Sequence, residues 1–142
     1  MIVVSDTSAI SNLAAIGRLE LLQQLYGIIL IPPAVCQEIL DSGETDPATL
    51  AIQTLDWIEC QPITNQSLWQ KLQINLDRGE AEAITLAVEL KADRLIIDER
   101  RGRNEAIQIL NLPKRLSSKH ELPSSHVPID DQLKLSLQMA VK

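Results

Sequence analysis

The chain has 142 residues, enough for one domain and too few for two full cores. Hydrophobic residues make up 45%, which excludes wholesale disorder. The 19 acidic and 13 basic residues give a net charge of −6, which excludes a uniformly basic nucleic-acid coat but not a local basic patch.

Ile2, Val3 and Val4 form an apolar run broken by the capping residues Asp6, Thr7 and Ser8, the pattern of a buried strand feeding a helix. Ile10, Leu13 and Ala14 then repeat with helical spacing. Gly17 separates that helix from a second over 18–26, with Leu19, Leu22 and Leu25 on one face and Gly27 as its cap. Residues 28–31 read as a second strand, and Pro33 opens a helix over 33–40. A polar turn at 41–47, a helix over 48–54, a strand over 57–60 and a helix over 67–72 follow. Asp77-Arg78-Gly79 leads into the strongest helix, 80–91, rich in Ala, Leu, Glu and Val. A strand over 94–97 and a helix over 101–110 complete the alternation. Strands alternating with helices predict an α/β fold with a mainly parallel sheet. Residues 113–128, rich in Ser, Pro, His and Lys, read as loop. Leu133, Leu135, Leu137, Met139 and Val141 alternate with period two, which argues for a strand over 133–141, with a helix as the alternative.

Cys36 and Cys60 fit neither a CxxC site nor a disulfide-dense scaffold, and read as two reduced, mostly buried thiols. The three aromatic residues, Tyr26, Trp57 and Trp69, are too few for a base-stacking sheet, and the tryptophans read as packing residues. No apolar run approaches the ~18 residues of a membrane span, and the opening residues carry no signal-peptide pattern, so the expected location is the cytoplasm.

Four acids have inward readings. Asp6 and Asp98 each follow an apolar strand, where ligands of open parallel sheets bind. Glu80 extends the buried stripe Ile84, Ala87 and Val88, whereas Glu82 aligns with Thr85 and Glu89 on the polar face and reads as solvated. Glu38 sits beside Ala34 and Val35. Simpler roles stand next to these: a helix cap for Asp6, a turn for Asp98, dipole complementation for Glu80 and a surface acid for Glu38. Four such acids with no matching buried base suggest a site for hard cations, Mg²⁺ or Mn²⁺, which can activate water and brace a phosphodiester leaving group. His120 and His126 read as solvated.

Ser5-Asp6-Thr7-Ser8 with Asn12 and Leu13, Pro-Pro-Ala-Val-Cys-Gln-Glu ending at Glu38, Arg-Gly-Glu-Ala-Glu-Ala-Ile (78–84) and Leu-Ile-Ile-Asp-Glu-Arg-Arg-Gly-Arg (95–103) occur in order. Together they resemble the PIN domain family, in particular prokaryotic VapC-type toxins of toxin–antitoxin pairs, over about residues 1–112. The resemblance implies a three-layer α/β/α, PIN-like fold and a Mg²⁺- or Mn²⁺-dependent endoribonuclease. Its four acids map onto Asp6, Glu38, Glu80 and Asp98 as catalytic and metal-holding residues, supported by Thr7, Ser8 and Asn12. It also implies a small antitoxin partner and a homodimer. Two departures stand out: the third acid is Glu where many PIN domains have Asp, and residues 113–128, with no apolar run, hold the place of a further strand and helix, for which 133–141 is a candidate replacement strand.

Charge is unevenly spread. Residues 91–119 hold eight basic and four acidic residues, so the remainder carries −10. Arg100, Arg101 and Arg103 follow Asp98 directly and suit an RNA phosphate backbone, the plainer reading being a solvated helix start paired with Glu99 and Glu105. A catalytically inactive PIN-like module that binds RNA or protein is the alternative function, and a hydrolase of small phosphodiesters is a third.

Overall fold

The computed structural model describes residues 1–97. Within them, four strands alternate with helices: β1 (Val3–Ser5), α1 (Thr7–Ala15), α2 (Glu20–Tyr26), β2 (Ile29–Ile31), α3 (Pro33–Asp41), α4 (Pro47–Thr54), β3 (Ile58–Cys60), α5 (Gln66–Leu72), α6 (Arg78–Leu90) and β4 (Arg94–Ile96). All pairings are parallel, in the order β3-β2-β1-β4. The chain steps outward from β1 to β3, then returns to place β4 on the other side of β1. Ligands of open parallel sheets bind where the order reverses in this way, outside the carboxyl ends of the strands.

Strands β1 and β4 bury residues on both faces, and β3 buries only Ile58. Val3, Ile29, Ile31, Ile58 and Ile96 face one apolar cluster with Ile10, Leu13, Leu22, Val35 and Ile39 from α1, α2 and α3. Val4, Leu95 and Ile97 face a second cluster with Leu72 of α5 and Ala83, Ile84 and Ala87 of α6. Adjacent residues thus enter opposite layers, as the period of two along a strand requires. The result is the three-layer α/β/α arrangement, and it explains why the strands read as continuous apolar runs rather than alternating ones.

Most local expectations hold within a residue or two, but three side-chain readings change. Leu25 is 59% exposed although Leu19 and Leu22 are buried, and from the last turn of α2 it is Tyr26 that packs against the core. Glu82 and Thr85, read as a polar face, are 4% and 0% exposed. Helix α6 is covered on several sides, by α3, α5, β1 and β4, so almost no face is left for solvent. Cys60 is exposed and Cys36 only half-buried, because β3 lies at the end of the described sheet order and Cys60 is its last residue. The tryptophans do pack: Trp57 is 7% exposed in the first cluster, and Trp69 lies partly buried against the second. The expected helix at 101–110, the loop at 113–128 and the strand at 133–141 lie outside the described residues.

Leu95 is fully buried in β4 while Ile74 is 79% exposed. Leu95→Ala should therefore cost about 2–5 kcal/mol of stability in urea unfolding, and Ile74→Ala less than about 0.5 kcal/mol.

Candidate metal and nucleic-acid site

Asp6 stands at the carboxyl end of the central strand. Its backbone N–H donates to the Ile96 carbonyl at 3.0 Å, continuing the β1–β4 ladder one step past Ser5↔Ile96. Its carboxylate caps α1, Oδ1 accepting from the Ala9 N–H at 3.1 Å. The side chain is thus held at a helix N-terminus, where the dipole favours negative charge. Asp6 is only 2% exposed, so the capping role and the inward placement coexist.

Glu38 does more than sit beside apolar neighbours. One carboxylate oxygen accepts from the Thr7 hydroxyl and the other from the Gly79 backbone N–H at 3.1 Å. One half-buried side chain on α3 thereby joins the first turns of α1 and α6. Gly79 permits this approach, since a Cβ there would lie 2.5 Å from Glu38 Oε1 and the carboxylate would have to move. Glu80 follows directly and is 8% exposed; its backbone N–H donates to Asp77 Oδ1 at 2.9 Å, which caps α6. Asp6 and Glu80 are therefore each one residue from a group that touches Glu38. Ser8 and Asn12 lie half-buried on α1 beside Thr7 and one turn beyond it.

Two contributors escape the sequence reading. Gly79 looks like an ordinary helix-start glycine until Glu38 is seen against it. Glu82 is a helix cap at long range: its Oε1 accepts from the Ala34 N–H at 3.0 Å, and its Oε2 pairs with Arg78 Nε at 3.2 Å. The available signal was Pro32-Pro33, which begin α3 without any side-chain cap of their own. The remaining Arg78 donors sit on a mostly exposed side chain at the start of α6.

The donor set is all oxygen: two acids at helix N-terminal turns, and a third that bridges them. Oxygen donors of this kind suit hard divalent cations. Among the described residues, no three acid, His or Cys side chains form a ready-made metal cluster. Asp98, the fourth expected acid, lies two residues past β4 and, with Arg100, Arg101 and Arg103, outside the described residues. Among the described residues, no helix is long and apolar enough to cross a membrane.

Because the Glu38 bridge couples three helices, its loss should be read in stability as well as in function. Thr7→Val, which keeps the shape and removes the donor, should cost about 1–2 kcal/mol in chemical denaturation. Gly79→Ala should cost about as much, because its Cβ would push the Glu38 carboxylate out of the bridge.

A PIN domain family model matches residues 2–112 of the chain. No curated protein matches it.

Proposed function

From the membership of this chain in the PIN domain family, whose fold is of nuclease type, we propose that it is a metal-dependent endoribonuclease, acting in the cytoplasm as the toxin of a toxin–antitoxin pair. The observation that supports this reading is the Thr7–Glu38–Gly79 bridge at the carboxyl end of the sheet, whose two donors are the chain neighbours of Asp6 and Glu80.

Asp6, Glu80 and Asp98 would hold Mg²⁺ or Mn²⁺. When bound, the ion supplies charge neutralisation at the reacting phosphate and a more acidic water. Glu38 keeps lone pairs beyond its two accepted hydrogen bonds, and these can serve a second ion or orient water. Thr7 fixes the Glu38 carboxylate, and the helix caps fix Asp6 and the backbone of Glu80, so the acids are placed before substrate arrives. Ser8 and Asn12 support the same turn of α1. Arg100, Arg101 and Arg103 would grip the RNA backbone, their planar guanidinium forks matching phosphate oxygens. A small antitoxin protein and a second copy of the chain are the partners this role implies. The nuclease unit would span 1–112, with 113–142 as a tail.

Labelled RNA incubated with Mg²⁺ or Mn²⁺ should be cut by the wild type, and Asp6→Asn should lower the rate at least about 100-fold while leaving the fold intact. Equal inertness of both proteins, with RNA still bound, would overturn the enzyme reading in favour of an inactive binding module. Turnover of a chromogenic phosphodiester without competition from RNA would instead identify a small-substrate hydrolase.

A further inference from the structure

The two cysteines stand outside the site just described. They lie 24 residues apart in sequence, and the fold brings them together. Cys60 ends β3 in register with Ile31, the last residue of β2. Cys36 lies in the first turns of α3, which begins two residues after β2 ends. Ile58, two residues before Cys60 and so on the same face of β3, belongs to the apolar cluster against which Cys36 packs. Both thus lie at the same end of the β2–β3 pair, with the Cys36 thiol near enough to act on that of Cys60. Cys60 is exposed and Cys36 half-buried, so an oxidant can reach one sulfur from solvent while the second stands beside it.

We propose that Cys36 and Cys60 form a reversible intramolecular disulfide, with a peroxide or a low-molecular-weight disulfide as the oxidant. With hydrogen peroxide, the Cys60 sulfur attacks one oxygen, the O–O bond breaks and Cys60 becomes a sulfenic acid as one water leaves. The Cys36 sulfur then attacks the Cys60 sulfur, the S–S bond forms, the S–O bond breaks and a second water leaves. The thiols give up two electrons and two protons, and the peroxide is reduced to water. The bond joins the end of β3 to the first turns of α3, the helix that carries Glu38. This inference stands independently of the nuclease reading.

Burial, the adjacent Cys36 thiol and the charge of Glu82 push the Cys60 thiol above its ordinary value. Because the thiolate is the nucleophile, oxidation is slow at neutral pH and accelerates as pH rises toward that raised value.

The test treats the reduced full-length chain with stoichiometric hydrogen peroxide or with oxidised glutathione. It follows intact mass, alkylation by iodoacetamide and thermal unfolding. The expected product is a monomer about 2 Da lighter, with both cysteines protected from alkylation until dithiothreitol is added. Its Tm should rise by about 5–10 °C, since the bond closes a loop of intermediate length. Cys60→Ser, at an exposed position that leaves the core untouched, should abolish the mass loss and the Tm rise together. Four outcomes overturn the proposal: cysteines that stay alkylatable, a persistent glutathione adduct or sulfinic acid, a disulfide-linked dimer, or an oxidised monomer whose Tm falls. The last would mean that the sulfurs bond only when the fold is distorted.

Discussion

Three helices, α1, α3 and α6, meet at the carboxyl end of the sheet, and the Glu38 carboxylate is where they are tied together. It takes a hydroxyl from α1 and a backbone N–H from α6 while itself belonging to α3. The contact is close enough that a Cβ at position 79 would displace the carboxylate. A half-buried carboxylate carrying two hydrogen bonds is strongly anchored, because losing either donor leaves charge poorly solvated. Asp6 and Glu80 flank this bridge, each held by its own ladder or capping hydrogen bond.

Negative charge is concentrated there by design of the backbone as much as by composition. Asp6 caps α1, Asp77 caps α6 and Glu82 caps α3, so three helix N-termini each face a carboxylate. The partial positive charge of those termini offsets part of the repulsion among the acids. A chain with net charge −6 can therefore gather acids at one end of its sheet without unfolding, and a cation there would offset more. The basic excess of residues 91–119 lies just beyond the last of these acids in sequence.

Much of this was legible in the chain itself. The strands announce themselves as short apolar runs because both faces of the sheet are covered, as Val3 and Val4 show by entering different clusters. Asp6-Thr7-Ser8 and Asp77-Arg78-Gly79-Glu80 mark helix starts because capping is a local interaction, completed within three residues. Glu82 was misread for the opposite reason. Helical periodicity assigns one buried face, but α6 is enclosed by α3 and α5 as well as the sheet, and the donor that Glu82 serves lies 48 residues away. Leu25 failed in the reverse direction, since a periodic apolar residue is buried only if a neighbouring element covers it.

By itself, the sequence determined the alternation of strands and helices, the caps, and the four acids and their order, because each depends on spacing within a few residues. Only the tertiary structure decided that Glu38 bridges Thr7 and Gly79, that Glu82 caps a distant helix and that Cys36 lies near Cys60. Each of those pairs joins residues far apart along the chain. Their contact follows from strand order and register, which arise from how the whole set of elements buries its apolar faces and not from any one segment.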